Sequence, residues 1–177
     1  QIYPDGPNKN IKIGSLGKKL CGKFRPGHFE AVVDVIDRFI KIIQPKKIYL
    51  GEKDMQQLKI IEYFVKQNYT KTNIVPCKTI RDKNGVACSS RNFLLSMNEK
   101  NIASKIYKFL ISRKKILVKN RFALKTLKRK ILELGATKID YIQILDINKV
   151  IKPFKQNKKY KIFISYYLRS IRLIDNI

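Results

Sequence analysis

Two short polar segments carry residue types suited to binding a phosphorylated ligand, and the first is Gly-Glu-Lys-Asp at residues 51–54. It follows an apolar run and precedes a helical pattern. A strand that ends in glycine and turns into a helix presents backbone N–H groups and a positive helix end, which favour phosphate. Lys53 adds a mobile charge, and Asp54 can accept hydrogen bonds from a ribose or cap the helix. An ordinary tight turn with a solvated lysine explains the same residues, so this segment alone does not establish a site.

The second segment is residues 83–92, and its Asn84-Gly85 pair is a strong signal for a hairpin turn. Ser89, Ser90 and Arg91 then offer two hydroxyls and a guanidinium in succession. These groups can donate hydrogen bonds to a polyphosphate, and arginine is suited to bidentate contact. The alternative is a polar inter-domain linker in which a serine caps a local turn.

A third segment, Arg-Pro-Gly-His-Phe at residues 25–29, contains the single histidine, His28. Histidine is a common general acid or base. A lone histidine at a helix start is more often a capping or packing residue, so we assign His28 no catalytic role.

Composition limits the classes of function. The chain has 177 residues, of which 44% are hydrophobic and 29% charged, as in globular proteins. No apolar run approaches the roughly 20 residues that span a bilayer. Three cysteines without a CxxC pair and one histidine predict neither a zinc site nor a disulfide framework. We therefore expect no metal site of this kind and a reducing, cytoplasmic setting.

The formal net charge of +26 favours attraction to polyanions such as nucleic acid, nucleotides or anionic membrane. The basic residues are scattered along the chain, and lysine outnumbers arginine. Solvated faces filled with lysine explain this pattern equally well. Charge alone therefore identifies no partner.

Apolar spacing predicts alternating helices and strands in the first half of the chain. Ile11 and Ile13 bracket a short strand, and Pro26-Gly27 opens a helix. The predicted core face of that helix is Phe29, Val32, Val33, Ile36, Phe39, Ile40 and Ile43, and its solvated face is Glu30, Asp34, Asp37 and Lys41. A strand at residues 47–50, a helix capped by Asp54 with Gln57, and a strand at residues 73–77 follow. This order predicts parallel α/β units.

After residue 92 the pattern changes. Ser96 and Glu99 form a second capping-box pattern ahead of a helix, and another helix is predicted near residues 122–134, ended by Gly135. Strands are predicted at residues 141–145 and 160–168, separated by a basic loop at residues 155–159. We therefore predict a parallel α/β domain at residues 1–92 and a small α+β domain at residues 93–177.

In their order and spacing, these segments resemble the pantothenate synthetase (pantoate–β-alanine ligase) family. The resemblance rests on residues 25–29, on GEKDMQQL at residues 51–58, on residues 81–92 with their SSRN string, and on RLIDN at residues 172–176. It covers nearly the whole chain. It implies a partial Rossmann-like nucleotidyltransferase domain followed by the small C-terminal domain.

The resemblance implies an ATP-dependent ligase that joins pantoate to β-alanine through pantoyl adenylate, giving pantothenate, AMP and pyrophosphate. The implied ATP-binding residues are Gly51, Glu52, Lys53, Asp54, Ile80, Cys88, Ser89, Ser90 and Arg91. Among them, Lys53, Ser89, Ser90 and Arg91 are the implied catalytic residues, and Ile80 meets the adenine through its backbone. The implied pantoate-binding residues are Gln57, Val32 and Val35.

Family members also carry an earlier HIGH-like segment with histidines, a glutamine segment that holds pantoate, and side chains assigned to Mg²⁺. None of these segments occurs in the 177 residues, so we expect a piece of a longer polypeptide that is inactive alone. The resemblance implies ATP as co-substrate, Mg²⁺ with ligands outside this chain, a homodimer, a cytoplasmic location and no membrane or nucleic-acid partner.

Two alternatives remain open at this point. The first is a basic nucleic-acid-binding domain of nucleotidyltransferase ancestry, although no RNP-like strand or helix-turn-helix pattern is evident. The second is a folding or dimerisation piece without activity.

Overall fold

The computed structural model describes residues 2–4, 6–8, 10–119, 123–146 and 160–177. The chain divides into two compact units, Gln1–Lys78 and Thr79–Ile177. The sequence pattern predicts a domain boundary between residues 92 and 93, and the domain limits 1–92 and 93–177 stay a prediction. Among the described residues, no helix is both long and apolar enough to span a bilayer.

The first unit is a partial Rossmann-like α/β arrangement built on two parallel strands. Its elements are α1 (Cys21–Phe24), α2 (His28–Ile43), β1 (Lys47–Gly51), α3 (Met55–Asn68) and β2 (Asn73–Cys77). β1 and β2 pair in parallel, from Lys47 opposite Asn73 to Gly51 opposite Cys77. The carboxyl ends of both strands therefore lie at the same edge.

The core of this unit forms where α2 and α3 pack beside the strands. Ile40 of α2 and Ile61 and Val65 of α3 are buried. Half-buried apolar residues pack against these three: Val32, Ile36, Ile48, Leu50, Phe64, Tyr69 and Ile74. The helical spacing seen in the sequence thus produces the core that supports the end of β1.

Three predictions for the segment before β1 are wrong. Residues 11–13 form no strand, and Phe39 and Ile43 are exposed rather than in the core. Asp34 and Asp37, predicted on the solvated face of α2, are buried.

The two aspartates are buried because other segments cover that face of α2. Asp34 accepts a hydrogen bond from the backbone N–H of Asn8 and pairs with Arg38, whose guanidinium also donates to the carbonyls of Ile2 and Gly6. Asp37 accepts from the Tyr69 hydroxyl and pairs with Lys41. Burial, with the hydrogen bond to Asp37, raises the pKa of Tyr69.

The second unit packs two helices on a three-stranded antiparallel sheet. Its elements are α4 (Met97–Lys119), α5 (Ala123–Glu133), β3 (Lys138–Asp146), β4 (Tyr160–Leu168) and β5 (Ile171–Asn176), with the strands in the order β3-β4-β5. Ile106, Leu110, Ile131, Ile162 and Ile164 are fully buried in its core. The predicted order of an α/β part followed by an α+β part is confirmed.

Two local predictions in this unit are confirmed, and one strand was not predicted. Ser96 and Glu99 form a reciprocal capping box at the start of α4, with donor–acceptor distances of 2.7 and 3.3 Å. Gly135 ends α5 with φ 116°. β5 was not predicted, because the charged and polar residues of RLIDN interrupt the alternation of apolar and polar residues that indicates a strand. The predicted basic loop at residues 155–159 and Phe122 lie outside the described residues.

Candidate functional site

The first group of predicted site residues lies at the carboxyl end of β1. The strand ends at Gly51, the 3-10 helix Glu52–Asp54 follows, and α3 begins at Met55. The positive end of α3 and its first backbone N–H groups therefore lie at the strand edge, which is where open α/β sheets bind anionic ligands. The structure thus brings Gly51, Glu52, Lys53 and Asp54 together.

Lys53 and Asp54 lie side by side in this turn. The Lys53 Nζ is 3.7 Å from the Asp54 Oδ2, and the Lys53 side chain is 17% exposed while that of Asp54 is 45% exposed. Asp54 precedes α3 but makes no side-chain capping hydrogen bond, so the capping box predicted for Asp54 and Gln57 is wrong. The carboxylate of Asp54 therefore lies beside the ammonium group of Lys53.

Two adjacent glutamines at the start of α3 differ in their surroundings. Gln57, the predicted pantoate residue, is half-buried. Gln56 is buried, and its side-chain amide makes three hydrogen bonds to the segment before α2. It accepts from the Cys21 N–H at 3.0 Å and donates to the carbonyls of Leu16 and Lys19 at 2.9 and 2.7 Å.

Gln56 therefore ties a strained loop to the helix that carries Gln57. Leu20 has φ 44°, and Gly22 lies so close to the Gly17 carbonyl that a Cβ could not be accommodated. The structural role of Gln56 was not predicted, because nothing in a QQ pair reveals which residue points inward.

The two valines predicted to contact pantoate lie on α2. Val32 is half-buried and packs against the core of the unit, and Val35 is half-buried. His28 is the first residue of α2, with its ring centroid 5.0 Å from that of Phe29.

The second group of predicted site residues lies on a hairpin-like loop in the second unit. Arg81 and Ala87 form an antiparallel bridge, and the Cys88 N–H donates to the Ile80 carbonyl at 2.9 Å. Asp82 accepts from the N–H groups of Asn84 and Val86 and so fixes the turn that the Asn-Gly pair predicts. Gly85 has φ 87°, which favours glycine.

The serines and Arg91 follow this loop directly. Ser89 caps the 3-10 helix Ser90–Leu94 by accepting from the Arg91 N–H at 3.3 Å. Cys88, Ser90 and Arg91 are exposed, and the side chain of Ile80 is exposed as well. The structure thus brings together Ile80, Cys88, Ser89, Ser90 and Arg91 and leaves polar groups at the surface of the loop.

Arg81, which the sequence analysis left without a role, holds the base of this loop. Its guanidinium forms a bidentate ion pair with Asp175 of β5, with N–O distances of 2.7 and 2.9 Å. Burial alone would lower the pKa of Arg81, but the hydrogen bonds and charge of Asp175 outweigh burial and raise that pKa. No local signal pairs two residues 94 positions apart.

The described residues contain no group of three His, Cys, Asp or Glu side chains that could hold a metal ion. The Mg²⁺ that the resemblance implies is expected to have its protein ligands outside this chain, and Mg²⁺ commonly needs only one or two carboxylates beside the phosphates of its nucleotide. The predicted site residues thus form two polar groups, residues 51–57 in the first unit and residues 80–91 in the second.

Comparison with known proteins gives a family match along the entire chain. A family model described as Pantoate-beta-alanine ligase matches residues 1–177. Curated pantothenate synthetases from Sulfurihydrogenibium sp. and Aquifex aeolicus are 36% and 40% identical over 100% and 99% of this chain. The chain spans 65% and 64% of the lengths of these two relatives.

Solved structures agree with the sequence comparison. A pantoate-beta-alanine ligase from Francisella tularensis, complexed with beta-gamma ATP and beta-alanine, matches with a TM-score of 0.77 at 36% identity, covering 99% of this chain and 60% of that one. A pantothenate synthetase from Thermus thermophilus matches with a TM-score of 0.87 at 27% identity, covering 99% of this chain and 65% of that one.

Proposed function

This chain belongs to the pantoate-beta-alanine ligase family, and from that premise we propose that the protein containing it joins pantoate to β-alanine in an ATP-dependent reaction. The products are pantothenate, AMP and pyrophosphate. The observation that carries this proposal is the family match along residues 1–177, which includes both polar groups. The family match gives no support to the alternative of a nucleic-acid-binding domain.

The proposed chemistry has two steps. A pantoate carboxylate oxygen attacks the α-phosphorus of ATP, pyrophosphate leaves, and a mixed anhydride forms. The β-alanine amine then attacks the carbonyl carbon of that anhydride, loses a proton and releases AMP. Both steps need positioning and stabilisation of negative charge, and neither needs an enzyme nucleophile.

Lys53 is proposed to stabilise negative charge on the phosphates, with Gly51, Glu52 and Asp54 lining the same site. In support, Lys53 lies beside the start of α3, where the helix dipole also favours an anion. Asp54 is proposed to accept hydrogen bonds from the ribose. Gln57, one turn along α3, is proposed to hydrogen-bond pantoate, with Val32 and Val35 against its apolar part.

The loop at residues 80–91 is proposed to bind adenine and the triphosphate. Ile80, whose side chain is 75% exposed, is proposed to meet the adenine through its backbone. Ser89, Ser90 and Arg91 are proposed to donate to phosphate oxygens, with Cys88 at the edge of the same site. Arginine can make two parallel hydrogen bonds to one phosphate.

We further propose that Mg²⁺ accompanies ATP with its ligands outside this chain, that the protein is a homodimer and that it acts in the cytoplasm. Sedimentation velocity tests the oligomeric state, with a single species of twice the subunit mass as the expected result.

The proposed function is tested with the protein expressed from the complete coding sequence, called here the complete gene product. Incubated with ATP, pantoate and β-alanine, it should form pantothenate and AMP in equal amounts, and omission of any substrate should stop both. It should also restore growth to a pantothenate-requiring strain. A folded, soluble protein that forms no pantothenate and gives no growth would refute the proposal.

A further inference from the structure

The string RLIDN at residues 172–176 forms most of β5 and has so far no part in the proposed chemistry. Its two charged residues make different ion pairs. Arg172 pairs with Asp140 of β3 at 2.8 Å, inside the sheet. Asp175 pairs with Arg81, at the base of the loop at residues 80–91.

Arg81 makes more contacts than one ion pair requires. Besides the two hydrogen bonds to Asp175, its guanidinium donates to the carbonyls of Gly85 and Asn176 at 3.0 and 3.3 Å. Its Cζ also lies 4.5 Å from the centroid of the Tyr107 ring of α4, a cation–π contact. One planar group with several fixed donors thus joins the loop, β5 and α4.

The backbone of Arg81 is part of the same construction. Arg81 bridges to Ala87, and the neighbouring residues Ile80 and Cys88 are joined by a backbone hydrogen bond of 2.9 Å. The spacing of Ile80 and Cys88 therefore depends on the isolated bridge between Arg81 and Ala87.

α4 supports the tip of the loop. The Ser104 hydroxyl donates to the Asn84 carbonyl at 2.9 Å, and a Cβ at Gly85 would collide with the Tyr107 ring. The loop is therefore fixed at both ends, by α4 at its tip and by Arg81 and Asp175 at its base.

We propose that Arg81 and Asp175 are positioning residues for ATP: their ion pair sets the spacing of Ile80 and Cys88 and the start of the segment that carries Ser89, Ser90 and Arg91. This inference rests on the proposed function. Neither side chain contacts the nucleotide. Their effect on ATP is indirect, through the backbone geometry of the loop.

A purely stabilising ion pair would explain the same contacts, and Arg172 with Asp140 supplies the matched control. In both pairs the side chains are largely buried, at 19% and 12% exposed for Arg81 and Asp175 and 15% and 1% for Arg172 and Asp140. Both join β5 to another segment. Only the pair of Arg81 and Asp175 includes a residue of the loop at residues 80–91.

The test compares Arg81→Lys with Arg172→Lys in the complete gene product. Lysine keeps the charge but cannot make the parallel hydrogen bonds of a guanidinium. Both variants should lower the melting temperature. Arg81→Lys should raise the KM for ATP by about tenfold, because misplaced binding groups lose most of their effect. Its KM for β-alanine should stay within about twofold, as should both KM values of Arg172→Lys.

Equal changes in the KM for ATP in the two variants, or no change in either, would overturn the inference. Asp175→Asn gives a second reading in case Arg81→Lys does not fold. Asp175→Asn should also raise the KM for ATP. The KM for ATP of the double variant Arg81→Lys/Asp175→Asn should be no higher than that of the poorer single variant, because each single substitution already breaks the same ion pair.

Calorimetric titration with ATP separates this inference from the proposed function. If the wild-type protein binds ATP but makes no pantothenate, the proposed function fails, and weaker ATP binding by Arg81→Lys alone still supports the positioning role. If the wild-type protein does not bind ATP, both proposals fail.

Discussion

The two polar groups are positioned in contrasting ways. Residues 51–57 lie where a parallel strand passes into a helix, so neighbouring residues and the core beneath them determine their placement. Residues 80–91 form a loop whose base is fixed by Asp175, 94 positions away from Arg81. The neighbours of residues 51–57 in the sequence are therefore enough to predict where these residues lie. The neighbours of residues 80–91 do not reveal Asp175, which supports that loop.

The largest expected effect on catalysis is that of Lys53, which belongs to residues 51–57. Lys53→Ala should lower kcat/KM for ATP by about 100-fold or more, because it removes a charge that stabilises the phosphates. Steady-state kinetics on the complete gene product measure this. Lys59, which is similarly exposed and pairs with Glu62 at 2.7 Å on α3, is the matched control, and Lys59→Ala should leave kcat/KM nearly unchanged. Equal activity of Lys53→Ala and wild type would show that Lys53 is an ordinary turn residue.

The next effect separates the two adjacent glutamines. Gln56→Ala should lower the free energy of unfolding by about 2 to 4 kcal/mol, because it removes three hydrogen bonds, including the one from the N–H of buried Cys21. Gln57→Ala should change that free energy by less than about 0.5 kcal/mol and raise the KM for pantoate instead. Urea unfolding and kinetics on both variants measure the difference. Similar unfolding curves for the two variants would contradict the assigned division of roles.

A smaller effect distinguishes the two predicted capping boxes. Ser96→Ala should destabilise the protein by about 1 kcal/mol, since its hydroxyl accepts from the Glu99 N–H at the start of α4. Asp54→Ala should cost less than about 0.5 kcal/mol, because Asp54 makes no capping hydrogen bond, and should weaken ATP binding. Thermal unfolding of both variants tests this, and an equal loss of stability would mean that Asp54 also caps its helix in solution.

The smallest effect is a pH dependence from the same capping box. Hydrogen bonds from the backbone and side chain of Ser96 hold the pKa of Glu99 below its ordinary value. A carboxyl group whose pKa is lower in the folded state stabilises the fold above the unfolded pKa, and that contribution is lost as pH falls through the folded pKa. The melting temperature of Glu99→Gln should therefore approach that of the wild type below about pH 4. Parallel curves from pH 7 to pH 3 would contradict this.

Local patterns were enough to predict most elements of the fold. Helical spacing predicted α2, and the Ser96 and Glu99 signature predicted the start of α4. Strand β1 and the turn after Gly51 follow from a short apolar run that ends in glycine. In these cases residues within about one turn of one another decide the conformation.

The remaining features depend on contacts between segments far apart in the chain. The burial of Asp34 depends on the segment at Asn8, whose backbone N–H, 26 positions away, donates to its carboxylate. Gln56 and Arg81 belong to the same class, since Gln56 bonds to Cys21, 35 positions away, and Arg81 pairs with Asp175, 94 positions away. Hydrophobic periodicity contains no information on such pairs. The roles of the candidate site residues themselves stay predictions.

The most direct test of the proposed adenylate route follows one oxygen atom. Pantoate labelled with ¹⁸O in its carboxylate is incubated with ATP, β-alanine and the complete gene product, and the AMP is analysed by mass spectrometry. Because the carboxylate oxygen attacks the α-phosphorus and stays there when the amine attacks the carbonyl carbon, each AMP formed should carry one ¹⁸O from a fully labelled carboxylate. Label in inorganic phosphate, with ADP as the nucleotide product, would contradict the assignment.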